Sequence, residues 1–177
     1  RASLSVGAWV VRGGRTADVG ADAVGRLRDD VGGSTVSGLA ADFEDAAAVQ
    51  GMLAELGDVD ILVNNVGVFG VAPFGDVTDA EWRRYLEVNL MSAVRLSRGL
   101  LPGMLAADRG GRIVLVASES GVDVPADMVH YGVTKAAMIA LGNGLAKTTR
   151  GTSVTVNTVL GGPTYSAGVA GAVEQIA

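Results

Sequence analysis

Tyr131-Gly-Val-Thr-Lys135 sets a phenol and an ammonium four residues apart, and on a helix that spacing brings both to one face. In water a tyrosine hydroxyl titrates near ~10 and is a poor proton shuttle at neutral pH. A cation about 4 Å away, at an effective dielectric near 20, favours the phenolate by at most ~4 kcal/mol, enough to bring such a group toward a working range. The pair is therefore a candidate acid/base and its activator, although an ordinary surface pair has the same spacing. Ser118 lies just past the apolar run Arg112–Ala117, where parallel sheets place their sites, and a small hydroxyl there could hold a carbonyl oxygen while the phenol proton moves. The loop after it is short enough to fold back over the Tyr131 helix. Asn64-Asn65-Val66-Gly67 follows a second apolar run, Val59–Val63, and reads either as a plain turn or as a cofactor-side turn. Asn89 interrupts an apolar helical stripe; a buried amide needs partners, so it is a structural hydrogen-bonder or part of a proton path.

Other chemistries are excluded by composition. The chain has no cysteine and a single histidine, His130, so thiolate or histidine metal sites and cysteine nucleophiles are ruled out and no metal is expected. His130, on the opposite side of the helix from Tyr131, is read as a packing or surface residue. With 14 basic and 19 acidic residues the formal charge is −5, and no Lys/Arg-rich run marks a nucleic-acid or anionic-membrane surface. The longest charge-free stretch, Gly151–Val173, carries Asn157, Pro163 and several Gly and Thr residues and reads as a buried strand plus loop, not a membrane span. At 177 residues, 49% hydrophobic, the chain is expected to form one domain, 1–177, in a cytoplasmic protein.

Short Val/Ile-rich runs alternate with helical periods, the pattern of a parallel sheet with crossover helices. Five strands are predicted, at Ala8–Arg12, Thr35–Leu39, Val59–Val63, Arg112–Ala117 and Val154–Val159, each apolar enough to be buried on both faces. Helices are predicted over Asp18–Val31, Asp45–Leu56, from the capping box Thr78-x-x-Glu81 through Trp82, Leu86, Leu90, Ala93 and Leu96 to a stop at Pro102-Gly103, and over Val129–Thr149. The fold class is α/β, a doubly wound parallel sheet.

Taken together, the Asn-Asn-Val-Gly turn, Asn89 in the next helix, Gly111-Arg112-Ile113-Val114 leading to Ser118, and the Tyr-x-x-x-Lys pair occur in an order and spacing that resembles the short-chain dehydrogenase/reductase family in its single-domain Rossmann form. The resemblance runs along nearly all 177 residues. It implies a three-layer α/β/α Rossmann-like fold and a catalytic tetrad. Tyr131 would be the general acid/base. Lys135 would lower its pKa and hold the nicotinamide ribose, Ser118 would orient the substrate oxygen, and Asn89 would anchor a water relay. The implied reaction is hydride transfer between nicotinamide and a ketone or secondary alcohol. By the same resemblance Asp42 borders the adenine, Asn64 and Gly67 lie beside the adenosine ribose, and Gly161-Gly162-Pro163-Thr164 is the nicotinamide loop, with Gly162 and Thr164 as contacts. Gly7-Ala8-x-Val10-Val11 resembles the entry to the family's second strand. Gly14 stands where NAD-preferring members carry an acid, and Arg15 after it could pair with a 2′-phosphate. NADP(H) is thus preferred, with NAD(H) as the alternative. The implied partners are a small carbonyl or alcohol substrate and further copies of the chain in a homodimer or homotetramer.

The chain departs from the family at both ends. The first strand and its glycine-rich pyrophosphate loop have no counterpart, nor do the last strand and helix, so the fold is expected to be incomplete at both ends. In strand order 3-2-1-4-5-6 the missing strand belongs between Ala8–Arg12 and Val59–Val63, which would leave two unpaired edges. Residues upstream of Arg1 are accordingly expected in the natural protein. A non-catalytic Rossmann-like binding protein that has lost the pyrophosphate loop is the alternative, separable by quenching of Trp fluorescence with NADPH. Substrate identity is open: Glu119–Met128 should line the pocket, and its three acids read as solvated loop charges in preference to a mark of a polar or cationic substrate.

Overall fold

The structure, a computed structural model, describes residues 10–14, 24–26, 28–29 and 35–162. The chain divides into two compact units, Arg1–Gly57 and Asp58–Ala177.

In the first unit β1 (Val10–Gly14) and β2 (Val36–Ala40) pair in parallel, Val10 opposite Val36 and Gly14 opposite Ala40. Residues 24–26 and 28–29 are helical. Val24 and Val36 form a small buried cluster on which Val10 packs. Helix α1 (Ala46–Leu56) begins where Asp45 accepts a hydrogen bond from the Ala47 amide at 2.8 Å, a cap that satisfies one of the free N-terminal donors. It ends at Gly57, whose φ of 62° suits a residue without Cβ.

The second unit holds a parallel sheet of β3 (Ile61–Asn64), β4 (Arg112–Ser118) and β5 (Thr155–Gly161), with Leu62, Ile113 and Val156 in register. The capping box at Thr78 and Glu81 forms as expected and starts α2 (Asp79–Tyr85). A π-helical segment, Leu86–Met91, leads into α3 (Ser92–Ala107), and α4 (Val129–Thr148) follows β4. Each predicted strand is present within two residues of its expected position. The expected Asp18–Val31 helix lies mostly outside the described residues, and Arg15 and Thr164 lie wholly outside them.

Three expectations are corrected. The third helix does not stop at Pro102-Gly103 but runs on to Ala107, with Pro102 inside it. Pro102 and Arg98 are both exposed, so water can solvate the Arg98 carbonyl that proline leaves unpaired, while buried Leu100 and Met104 hold the helix to the core. Asp108, at φ 47°, terminates it in the left-handed region that Asp tolerates. The apolar stripe through Leu86 is also displaced: Leu86 is 36% exposed, and Tyr85, Val88 and Asn89 face inward instead. The π turn is the cause. The Ser92 amide reaches back five residues to Glu87, and its hydroxyl takes the Val88 carbonyl at 2.5 Å, so one extra residue enters the turn and shifts the inward face.

The strands are, finally, not buried on both faces within this unit. Leu62, Ile113, Leu115 and Val156 are buried, whereas Ile61 and Val63 are 62% and 56% exposed. The buried face is the one that meets α3, through Asn64 and Ser97, and α4, where Gly142 lies against Leu115 and Thr158. Apolar composition shows that a strand favours burial; it does not count the helices that reach each face. Among the described residues no helix is long and apolar enough to cross a membrane.

Candidate active site

The site is organised around one amide. Asn89, fully buried in the π segment, accepts a hydrogen bond from the Val68 amide at 2.7 Å through Oδ1. Its Nδ2 donates to the Val68 carbonyl at 2.9 Å and to Thr134 Oγ1 at 3.0 Å. One side chain thus ties the turn after β3 to the second turn of α4; the bond to Thr134 is buried and the two to Val68 are partly buried, where a broken one is costly. Thr134 in turn donates from Oγ1 to the Tyr131 carbonyl at 2.7 Å. Sequence reasoning missed Thr134 and Val68. A β-branched polar residue one place before Lys135, inside an apolar helix, was the available signal for Thr134.

Lys135 is only 6% exposed. Its Nζ donates to the Val116 carbonyl at 2.9 Å and lies 5.6 Å from the centroid of the Tyr131 ring, within cation–π range. Burial pulls its ammonium below the usual lysine range, because a desolvated cation loses hydration. A Cβ placed on Gly67 would meet Asn89 Oδ1 at 3.4 Å and Lys135 Nζ at 3.6 Å. The ammonium therefore sits directly under the exposed Gly67 turn, with donor capacity beyond the one carbonyl oxygen it meets among the described residues.

Ser118 ends β4 and caps the short 3-10 turn Glu119–Gly121, accepting from the Ser120 amide at 3.1 Å. The loop that follows does fold back over α4, and two glycines make this close approach possible. A Cβ on Gly121 would lie 2.8 Å from the Lys135 carbonyl carbon and the Ala136 nitrogen, and one on Gly132 would lie 2.7 Å from the Ser120 carbonyl oxygen and 2.5 Å from Val124. Neither backbone contact can relax by side-chain rotation, so Gly132→Ala is expected to lift this loop. The expected outcome is a stability loss of about 1–3 kcal/mol, read by denaturant titration, together with a fall in turnover; an unchanged midpoint would contradict the packing.

Asn89, Gly67, Tyr131 and Lys135 are thus brought together, and the loop after Ser118 is seated on the same helix. Other expected residues lie elsewhere. Asn64 is buried and its Nδ2 donates to Ser97 Oγ at 3.3 Å, on the α3 side of the sheet. Asp42 belongs to the first unit, where its carboxylate accepts from the Glu44 amide at 3.0 Å. Gly162, by contrast, lies beside the loop after Ser118: Gly161, which ends β5, stands opposite Ser118, and a Cβ on Gly162 would lie 3.3 Å from a Glu119 carboxylate oxygen.

His130 packs, as expected, away from this chemistry: it is 3% exposed and meets the Tyr85 ring edge-on at 4.3 Å and Trp82 at 6.4 Å. Burial lowers its pKa from 6.5, opposed in part by Glu81. A folded-state value below the unfolded one means that the unfolded chain binds the extra proton, so this residue's contribution is complete above pH 6.5 and is lost as pH falls through that window. His130→Phe is expected to flatten the decline of Tm between pH 6.5 and about 5; an undiminished slope would assign it to other groups.

A family profile described as short chain dehydrogenase matches residues 1–176, and the chain belongs to the short-chain dehydrogenase/reductase family, an α/β Rossmann fold of oxidoreductases. It is 49% identical over 98% of its length to the uncharacterized oxidoreductase YvrD of Bacillus subtilis, of which it spans 66%. It is 34% identical over 88% of its length to the 3-oxoacyl-(acyl-carrier-protein) reductase FabG of Escherichia coli, of which it spans 63%. Its structure superposes on the L-sorbose reductase of Gluconobacter frateurii, solved with NADPH and L-sorbose, with a TM-score of 0.81 and 32% identity, covering 89% of this chain and 60% of that one. The chain therefore spans about two thirds of the length of these relatives.

Proposed function

We propose that this protein reduces a ketone or oxidises a secondary alcohol with a nicotinamide cofactor, with Tyr131 as the general acid/base. The observation that carries the reading is the buried Lys135 ammonium, 5.6 Å from the Tyr131 ring centroid and tied to the carboxyl end of β4. A desolvated cation acts through little screening, so it stabilises negative charge that develops on the phenol oxygen as the proton leaves. Ser118 orients the substrate oxygen toward that phenol. Asn89 acts as a positioning residue that holds the Val68 turn and Thr134, and it anchors the proton path toward Lys135.

Residues of the second unit suit a nicotinamide ribose. Beyond its contacts to the Val116 carbonyl and Met138 sulfur, Lys135 keeps donor capacity under the exposed Gly67 turn and would hold the ribose hydroxyls together with Tyr131. Gly67 would border the adenosine ribose, with Asn64 reaching it through backbone alone because its side chain is turned to Ser97; by family resemblance Asp42, in the first unit, would border the adenine. Gly162 and Thr164 would flank the nicotinamide. When bound, the cofactor supplies or accepts the hydride. We also propose NADP(H) over NAD(H), because β1 ends at Gly14 without an acid and Arg15 follows with a guanidinium suited to a phosphate. A single Rossmann domain spanning 1–177, in a cytoplasmic homodimer or homotetramer, completes the reading.

The test is transfer of label. Reduced cofactor carrying deuterium at the nicotinamide C4, incubated with the full-length protein and a ketone, is expected to leave deuterium on the carbinol carbon. Label lost to solvent would overturn the reading. A kcat/KM for NADPH about tenfold or more above that for NADH would support the cofactor choice, and parity would remove it.

A further inference from the structure

Beside the proposed acid/base two loops place an aromatic wall and contribute no cation of their own; the Lys135 ammonium near Tyr131 is buried and belongs to α4. Phe69 meets the Tyr131 ring edge-on, with centroids 6.3 Å apart, yet it remains 41% exposed. Two loops frame this ring pair, residues 66–76 after β3 and 119–128 after β4, and the Ala72 amide joins them by donating to the Asp127 carbonyl at 2.8 Å. The second loop presents Val124, 39% exposed, where Gly132 seats it on α4. Neither loop contains Lys, Arg or His, and together they hold four carboxylates, Asp76, Glu119, Asp123 and Asp127. An anionic substrate would therefore meet repulsion and no compensating hydrogen bond from a basic side chain of these loops, whereas a flat apolar substituent would cover ring and methyl surface that is now in water.

We propose that Phe69 is a specificity-determining residue and that the substrate is an uncharged carbonyl compound, or its alcohol, bearing an aryl or similarly flat apolar group. This rests on the reading of Tyr131 as the acid/base, and it deepens that reading by naming the substrate class. The proposal selects between substrates that share the reacting group, so charge can be varied alone. Reduction balances in the ordinary way: the carbonyl carbon gains hydride from the reduced cofactor, and its oxygen gains the Tyr131 proton.

The full-length protein with NADPH would be given methyl 4-acetylbenzoate and 4-acetylbenzoate, which share ring and ketone and differ in one charge. Both dissociation constants and kcat/KM are measured, the former by ligand-observed NMR. The neutral ester is expected to bind about tenfold more tightly or better, with the gap narrowing at about 0.5 M salt as the carboxylates are screened. Phe69→Ala, at an exposed position, is expected to weaken ester binding about tenfold while leaving Tm unchanged. Equal affinities, preference for the carboxylate, an ester affinity untouched by Phe69→Ala, or no binding of either compound would overturn the proposal. Discriminating binding without any turnover would leave the pocket standing and count against the acid/base reading, so the two failures are distinct.

Discussion

Tyr131→Phe is expected to lower kcat by about 10²–10⁴-fold, the range attributed to a positioned proton donor, while leaving Tm unchanged. The substitution keeps the ring, and with it the edge contact to Phe69 and the position 5.6 Å from Lys135 Nζ. Only the hydroxyl goes. A barrier rise of about 3–5 kcal/mol corresponds to that loss in rate. Cofactor affinity should fall by much less, because Lys135 still has donors under the Gly67 turn. Steady-state kinetics and cofactor titration on the same preparation separate the two effects. A variant that keeps most of its turnover would show that the proton comes from elsewhere, and a variant with a lowered Tm would show that the hydroxyl has a structural role.

Asn89→Leu is expected to be strongly destabilising. Leucine matches the volume approximately but leaves the Val68 amide and carbonyl without partners, and Thr134 Oγ1 without its donor. Two stranded backbone groups and a weakened hydroxyl cost about 2–4 kcal/mol together, a fall in Tm of roughly 4–16 °C for a chain of this size. The damage should also be local in a diagnostic way. With the Val68 turn released, Gly67 no longer covers Lys135, so amide hydrogen exchange should accelerate at Val68 before it does in β4. Asn89→Asp retains an acceptor for the Val68 amide and should be intermediate. A Leu variant as stable as the wild type would mean that the turn is held by something other than this amide.

The second unit also shows how a local irregularity serves a site. An unbroken α-helix from Asp79 to Ala107 would carry the inward stripe through Leu86, as the periodicity suggests. Ser92 instead caps the Val88 carbonyl with its hydroxyl and sends its amide to Glu87, which turns Asn89 toward Val68. The proline ten residues later is absorbed without a break because it falls on the solvated side of the helix.

Residue type and spacing alone determined the parallel α/β order, all five candidate strand positions to within a residue or two at their starts, the Thr78 capping box, and the Tyr131–Lys135 face. These depend on local rules: side-chain periods of two and of about 3.6, caps, and the identity of groups able to move a proton. Tertiary structure decided which groups meet. The partners of Asn89, the burial of Lys135 against Val116, the turn of Asn64 toward Ser97 and the seating of the Ser118 loop on Gly121 and Gly132 all depend on residues 19 to 45 positions apart or on backbones so close that a Cβ would not fit between them. No short-range pattern encodes such contacts, because each forms only after sheet and helices have closed on one another and water has been excluded between them.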